Sequence, residues 1–271
     1  MTKANLPAVI RLLETRPELA MFPLDNIARY GLAGDHPRSM LFWLDDPATP
    51  NTVLGLSREG MVMPFARDDI DAQACRAVLR DRPLIGFIGA AAPVRAIMAA
   101  AGLLGRSKGL DKDEPQFRLD LEALKLPHGS GTLASISDHA ELVIRWRVAY
   151  DTELKVRIDD WERAKQDVAR WIDADSHRLL MIDGQPAALT GFNARLPEIV
   201  QIGGVYTPPE GRGQGLARRA VALHLAEARA QGVRQATLFA ASDAAVACYT
   251  ALGFQRIGDF ALVLFNGEVT P

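Results

Sequence analysis

A glycine-rich segment that joins a strand-like run to an amphipathic helix constrains the fold of this chain most. It reads Ile202-Gly-Gly-Val-Tyr-Thr-Pro-Pro-Glu-Gly-Arg-Gly-Gln-Gly-Leu-Ala217. Gly211, Gly213 and Gly215 allow the backbone to turn tightly and remove side chains that would block a ligand. The amides from Gly213 to Ala217 should then point into one concavity at a helix N-terminus, where the helix dipole favours an anion. The segment therefore predicts a pyrophosphate site.

Two other phosphate-binding motifs do not fit this segment. A P-loop needs Gly-Lys followed by Ser or Thr, and no such triplet occurs in the sequence. A dinucleotide fingerprint needs a third glycine where Arg218 stands, and an acidic residue at the end of the next strand, where Phe239 and Ala240 stand. P-loop chemistry and NAD binding are therefore disfavoured.

The second half of the chain alternates helix and strand patterns around this segment. Helices are predicted from a cap at Ser137 or Asp138 to Tyr150, and from a cap at Asp159 or Asp160 to Ile172. An antiparallel meander turning at Asp183-Gly184 leads into the glycine segment, whose helix should end at Gly232. The remaining predicted elements are strands at 133–136, 178–182, 187–194, 198–206, 236–240 and 260–265 and a helix at 243–252. The pattern predicts an α/β fold with a mixed, mostly antiparallel sheet flanked by helices.

The first half shows a similar alternation, and one of its segments is similar in sequence to a segment of the second half. Its predicted helices are 6–15, 70–80 and 93–101, and its predicted strands are 40–44, 53–57, 61–65, 84–88 and 116–121. A shift of 151 residues, the difference between Gly253 and Gly102, also aligns Ala90, Ala96 and Ala100 with alanines of the second half. We therefore expect a duplicated fold with domains at 1–130 and 131–271, divided near the Pro- and Gly-rich residues 127–131.

Two motifs resemble those of the GNAT superfamily of N-acetyltransferases. Arg212-Gly-Gln-Gly-Leu-Ala217 is similar to the signature arginine or glutamine, x, x, glycine, x, glycine or alanine. The downstream segment from Ser242 to Phe254, with Tyr249 and a closing Gly-Phe, looks like the second hallmark of the family. The resemblance covers roughly residues 131–271. It implies a GNAT fold there, a degenerate copy in 1–130, and acetyl transfer from acetyl-CoA to an amine by direct attack.

The resemblance also implies roles for individual residues. The backbone amide of Val205 would polarise the thioester carbonyl, and Tyr249 would protonate the departing thiolate. Gln201 stands near the family's usual position for the base but cannot act as one, which leaves Glu198 or a water chain. The residues expected to bind the coenzyme are Val205, Tyr206, Thr207, Arg212, Gly213, Gln214, Gly215, Leu216, Ala217 and Ser242. Ser242 stands where the family usually has Asn.

A non-catalytic acyl-CoA binding or regulatory module remains the alternative, because no general base is evident. In the first half, Met61 is expected opposite Arg212, Pro64 opposite Gly215 and Met98 opposite Tyr249. We therefore expect the coenzyme to bind in the second half alone.

Composition narrows the partners further. A net charge of −2 gives no reason to expect nucleic acid or an anionic membrane surface, and no apolar run reaches the ~18 residues of a membrane span. The five histidines lack metal-ligand spacing, the two cysteines are too few for a disulfide framework, and the chain opens without a leader pattern. We expect a metal-free, cytoplasmic monomer or homodimer that acts on a small-molecule or peptide amine.

Overall fold

The chain forms two compact units in the computed structural model, which describes residues 2–3, 6–154 and 158–271. The first unit comprises residues 1–116 together with 257–271, and the second comprises residues 117–256. The predicted boundary near residue 130 differs from this division. The C-terminal residues 257–271 belong to the first unit, where their strand completes the sheet. Periodicity identifies a strand but does not show which sheet edge it joins.

The first unit is a mixed sheet with helices. Its strands run in the order β1-β2-β3-β4-β5-β12, antiparallel except for the parallel pair β4 and β5. These strands are β1 (Thr2–Lys3), β2 (Met40–Leu44), β3 (Thr52–Ser57), β4 (Met61–Ala66), β5 (Leu84–Ala90) and β12 (Gln255–Val269). The helices are α1 (Leu6–Leu13), α2 (Met21–Tyr30), α3 (Ala72–Leu79) and α4 (Ala91–Ala100).

The second unit has the same kind of sheet. Its strands run in the order β6-β11-β10-β9-β8-β7, and β10 and β11 are its parallel pair. These strands are β6 (Lys108–Asp120), of which residues 117–120 belong here, β7 (Thr132–Ser135), β8 (His177–Ile182), β9 (Gln185–Arg195), β10 (Ile199–Tyr206) and β11 (Gln235–Phe239). The helices are α5 (Ala140–Glu153), α6 (Trp161–Asp173), α7 (Leu216–Ala230) and α8 (Asp243–Leu252).

The described elements repeat in the same order in the two halves of the chain. Each half has one strand, two helices, three strands, a helix, a strand, a helix and a last strand. The predicted fold class, an α/β fold with a mixed and mostly antiparallel sheet flanked by helices, is thereby confirmed.

Local signals placed most elements within a few residues, although β6 begins eight residues and β12 five residues before the predicted strands. Two further differences concern helices. Neither Ser137 nor Asp138 caps α5, because residues 137–139 form a separate 3-10 turn before it, whereas Asp160 caps α6 by accepting from the amide of Arg163 at 3.0 Å. Helix α2 was not predicted. Its buried face includes Asp25 and Asn26, which interrupt the apolar stripe that marks a helix.

The two faces of the second sheet carry different helices. On β8, Leu179 packs in the cluster that includes Trp146 of α5 and Val168 of α6, while its neighbour Leu180 packs against Ala220 of α7. This alternation follows from the two-residue period of a strand. We refer to the α5–α6 face and the α7–α8 face below. Among the helices described, none is long and apolar enough to cross a membrane.

Candidate functional site

Strands β10 and β11 separate part of the way along their length. They pair in parallel from Ile199 with Gln235 to Gln201 with Thr237, and the paired register ends there although β10 continues. On its other side β10 shifts register against β9 between Gly203 and Tyr206, and Gly204 has a φ of +65°. A bulge of this kind leaves backbone groups outside the ladder. The ladder between β10 and β11 thus ends before Val205 and leaves a wedge beside its backbone.

The glycine segment forms an open turn at the N-terminus of α7. Gly213 and Gly215 both have a φ of +77°, and nothing lies within 4 Å of the point where a Cβ on Gly213 would stand. No side chain caps the helix at Gly215, and its first turn holds no acidic residue. The first amides of a helix have no intrahelical acceptor, so the cradle, defined as residues 213–217, fits a pyrophosphate.

The other residues expected at the coenzyme meet this region chiefly through their backbone. The Leu216 side chain packs towards Leu180 and Ala220, and the Tyr206 ring lies in the cluster of the α5–α6 face. Thr207 has a buried hydroxyl without a hydrogen-bond partner, and Gln214 donates to the carbonyl of Glu210 at 3.3 Å. Their amides remain the groups that can hold a ligand in the cradle or the wedge.

Two arginines, Arg212 and Arg218, lie near the cradle and differ in their hydrogen-bond partners. Arg212 donates through Nη2 to both carboxylate oxygens of Glu153, at 2.8 and 2.7 Å, and through Nε to the carbonyl of Thr207 at 3.0 Å. The hydrogen bond to Glu153 raises its pKa. Arg218, which the sequence analysis did not assign to the site, has Nη2 3.6 Å from the point where a Cβ on Gly215 would stand. Arg212 is thus held by protein groups, while Arg218 lies beside the cradle.

Helix α8 brings the second motif to the wedge. Ser242 caps the helix by accepting from the amide of Ala245 at 3.3 Å. Tyr249 is 8% exposed, lies edge to face with Phe254 at 5.9 Å and belongs to the apolar cluster of the α7–α8 face, against which Val205 also packs. Burial raises the pKa of its phenol. The structure therefore places Tyr249 and Val205 in the same apolar cluster.

Glu198 lies away from this site. It precedes the first residue of β10, its side chain is 69% exposed, and its carboxylate faces Arg234 at 3.8 Å. Val205 lies seven positions further along the chain, which amounts to about 23 Å along an extended strand. A general base must come within hydrogen-bond reach of the proton that it removes, directly or through one water. The expectation that Glu198 serves as the base therefore has no support in this placement.

A buried histidine that the sequence analysis set aside lies on the α5–α6 face beside the bulge. His177 stacks on Trp171 at 3.9 Å, and its Nδ1 lies 2.9 Å from the hydroxyl of Ser176. Its Nε2 is buried without a hydrogen-bond partner and would lie 3.0 Å from a Cβ on Gly204. Burial lowers its pKa well below the usual value. A buried polar atom without a hydrogen-bond partner lowers the free energy of unfolding by about 1–3 kcal/mol, so the unpaired Nε2 needs an explanation.

The corresponding loop of the first unit is built differently. The segment between β4 and α3 is Arg67-Asp-Asp-Ile-Asp71, which has no glycine, and Asp71 caps α3 by accepting from the amide of Ala74 at 2.9 Å. Met61 and Pro64 lie within β4, so the expectation that they stand opposite Arg212 and Gly215 is wrong. The 151-residue shift fails there because α3 is shorter than α7.

No cluster of residues that could hold a metal ion is found in the part of the chain that the structure describes.

Comparison with known proteins matches residues 143–254 to the Acetyltransferase (GNAT) family. A curated relative, the mycothiol acetyltransferase of Kytococcus sedentarius, is 28% identical over 170 residues, which cover 56% of this chain and 57% of that protein. The chain thus spans little more than half the length of this relative.

Solved structures of GNAT proteins resemble the chain over almost its whole length. An acetyltransferase from Colwellia psychrerythraea has a TM-score of 0.55 at 13% identity and covers 98% of this chain and 99% of its own. A GCN5-related N-acetyltransferase-like protein from Streptococcus suis has a TM-score of 0.51 at 16% identity, with coverages of 95% and 97%. These likenesses show the fold. Both motifs lie within residues 143–254, the part of the chain that matches the Acetyltransferase (GNAT) family.

Proposed function

We propose that the second unit transfers the acetyl group of acetyl-CoA to the nitrogen of a small-molecule or peptide amine by direct attack. The observation that carries this proposal is the wedge between β10 and β11, which opens beside a glycine-lined helix N-terminus without a cap or an acidic first turn. A wedge of this kind can take an extended arm, and an uncapped helix end can take its phosphates.

In this proposal the cradle holds the pyrophosphate through the amides of residues 213–217. Arg218 beside Gly215 adds a cation that can reach a phosphate oxygen. Arg212 acts differently from the sequence-based expectation, since its bonds to Glu153 and Thr207 fix the shape of the loop. Ser242 contributes by capping α8 at the other side of the wedge.

The reacting end of the site lies at Val205 and Tyr249. When bound, acetyl-CoA supplies a thioester whose carbonyl the amide of Val205 would polarise, because that amide lies in the bulge. The phenol of Tyr249, in the same apolar cluster, would protonate the thiolate that leaves. Its raised pKa keeps the proton in place at neutral pH. The relative named as a mycothiol acetyltransferase supports acetyl transfer as the reaction.

The proposal is tested by measuring acetyl-CoA binding calorimetrically and thiol release across a panel of primary amines. We expect binding, and amine-dependent release with at least one member. Binding without release from any amine would favour the non-catalytic acyl-CoA module.

A pair of variants tests the cradle itself. Gly215→Glu places an anion in the cradle and should abolish acetyl-CoA binding. Gly232→Glu is the matched control, because Gly232 also has a positive φ, of +96°, with nothing within 4 Å of a Cβ, but follows the opposite end of α7. Wild-type affinity in Gly215→Glu would refute the assignment of the site.

A further inference from the structure

The hydroxyl of Ser176 is a hydrogen-bond partner of the His177 ring. It lies 2.9 Å from Nδ1 of His177 and 3.4 Å from the carbonyl of Trp171. In the tautomer with the proton on Nδ1, that nitrogen donates to the Ser176 oxygen. The neutral imidazole then presents Nε2 as a bare lone pair.

This lone pair faces the bulge of β10. His177 pairs with Gly191 on β9, and Gly191 pairs with Gly203 on β10, so the ring lies over a row of residues without side chains. A Cβ on Gly191 would lie 2.1 Å from Nε2, and a Cβ on Gly204 would lie 3.0 Å from it. Gly204 directly precedes Val205. Nε2 therefore borders the backbone at which the thioester is proposed to bind.

The two faces of the sheet offer different chemistry at this point. Tyr249 belongs to the α7–α8 face, which is packed with apolar side chains. His177 belongs to the α5–α6 face, with Trp171 of α6 over its ring. A proton donor for sulfur and a proton acceptor for nitrogen are thus available on opposite sides of Val205.

Other groups of the α5–α6 face serve less well as a base. Glu153 is engaged by Arg212 and Tyr206, and Asp167 by Arg147. Gln201 lies on β10 with a buried, unpaired Oε1, but an amide does not accept a proton at neutral pH.

We infer that His177 accepts, through Nε2, the proton that the attacking amine loses. This inference rests on the proposed acetyl transfer. The amine nitrogen forms a bond to the carbonyl carbon, its proton passes to Nε2, and the carbon–sulfur bond breaks. The sulfur leaves as a thiolate and takes a proton either from water or from Tyr249, which regains one from solvent, while His177 releases its proton to solvent. One proton thus moves from nitrogen to sulfur overall.

The surroundings keep the imidazole uncharged before the reaction. Burial lowers the pKa of His177, and the nearby cations Arg147 of α5 and Arg178 lower it further. The ring is therefore neutral at physiological pH. A nitrogen that has bonded to the carbonyl carbon is positively charged and more acidic than the free ammonium ion, so a base weaker than the amine can accept its proton.

A matched pair of substitutions tests the inference. His224 is also buried, also stacked on an aromatic ring, Phe192 at 3.9 Å, and also has an unpaired nitrogen, but it lies on the α7–α8 face. With the amine selected by the panel, His177→Gln should lower kcat by about 10²-fold, within the range for general acid–base catalysis, and leave the Kd for acetyl-CoA unchanged. His224→Gln should keep the wild-type kcat.

Each outcome of this comparison has a meaning. A folded His177→Gln protein with kcat within about threefold of wild type, or equal losses of kcat in both variants, would overturn the inference. Wild-type protein that releases no thiol with any amine would instead count against the proposed function.

A measurement on the wild-type protein covers the case in which His177→Gln does not fold. Nitrogen-15 spectra of the imidazoles report which nitrogen of each histidine carries the proton. We expect His177 to be protonated at Nδ1 and unprotonated at Nε2 between pH 6 and 9. A proton on Nε2 in this range would overturn the inference.

Discussion

Glu153 and Arg212 form a two-oxygen ion pair that joins helix α5 to the loop before the cradle, with Nη2 of Arg212 at 2.8 and 2.7 Å from the two carboxylate oxygens. The same carboxylate accepts from the hydroxyl of Tyr206 at 3.2 Å. Tyr206 ends β10 and Arg212 leads into the cradle. One carboxylate at the end of α5 therefore holds both sides of the loop from which the cradle is built.

Glu153→Gln should weaken acetyl-CoA binding by about two- to fivefold. The pair is about half exposed, and exposed ion pairs contribute about 0.2–1 kcal/mol. Calorimetry would measure the Kd, with Glu162→Gln as the control because that exposed residue pairs with Lys165 on α6. Tighter binding in Glu153→Gln would instead mean that Glu153 keeps Arg212 away from the phosphates.

Arg218→Gln should weaken acetyl-CoA binding more than Glu153→Gln does, and should reduce its dependence on salt. The guanidinium lies beside Gly215, and a contact between a cation and a phosphate is screened by added ions. The control is Arg234→Gln, since Arg234 is exposed near Glu198 at the far end of β10. Equal affinity and equal salt dependence in the Arg218 and Arg234 variants would remove Arg218 from the site.

The two buried histidines should make the protein sensitive to acid. The folded state lowers the pKa of His177 well below 6.5 and that of His224 to about 3. Below pH 6.5 the unfolded chain therefore binds more protons, so stability is complete above pH 6.5 and falls as the pH drops towards the folded pKa values. Each histidine contributes a slope of about 1.4 kcal/mol per pH unit.

Denaturant melts between pH 7.5 and 5 would measure this loss. His224→Gln should reduce the pH dependence of the free energy of unfolding by about one proton, because one of the two uncharged buried imidazoles is gone. A slope identical to wild type would contradict the prediction for His224.

Local signals in the sequence were sufficient for the cradle. Glycines that need positive φ, a helix that begins directly after them and a second helix from Asp243 to Leu252 are all short-range features, and the structure has them where they were predicted. The same holds for the cap at Asp160, whose carboxylate meets an amide three residues later.

The proposed proton acceptor could not be predicted from such local signals. Glu198 was expected, as an alternative to a water chain, because Gln201 near the family's usual position cannot act as a base, and it lies at the end of β10 opposite Val205. His177 lies 28 residues before Val205, and it reaches the bulge only because β8, β9 and β10 pair in one register. Strand register depends on tertiary packing. The sequence by itself showed only a histidine that follows a serine at the start of a strand.

Gly191→Ala tests the position of His177 without changing His177 itself. A Cβ there would lie between 2.0 and 2.5 Å from three atoms of the imidazole ring, so the ring must move. We expect kcat to fall by about tenfold or more, with the Kd for acetyl-CoA retained, since the cradle is untouched. The control is Gly232→Ala, which has open space and a positive φ. Unchanged kcat in Gly191→Ala would argue against a role for the ring position.

Tyr249→Phe tests the proposed proton donor for the thiolate. The substitution deletes the hydroxyl and keeps the ring that packs edge to face against Phe254, so the apolar cluster should survive. Burial raises the phenol pKa, which means that wild-type Tyr249 stays protonated from pH 6 to 9 and adds no basic limb to the kcat profile. If proton delivery limits turnover, kcat should fall by about 10²-fold with the Kd for acetyl-CoA nearly unchanged.

The control for this variant is Tyr30→Phe, because Tyr30 stacks on His36 in the first unit and takes no part in the proposed site. Turnover would be measured across pH 6 to 9 with the amine selected by the panel. A Tyr249→Phe protein as active as Tyr30→Phe over this range would mean that water protonates the thiolate. Tyr249 would then be a packing residue, and the site would need one positioned proton acceptor and no positioned donor.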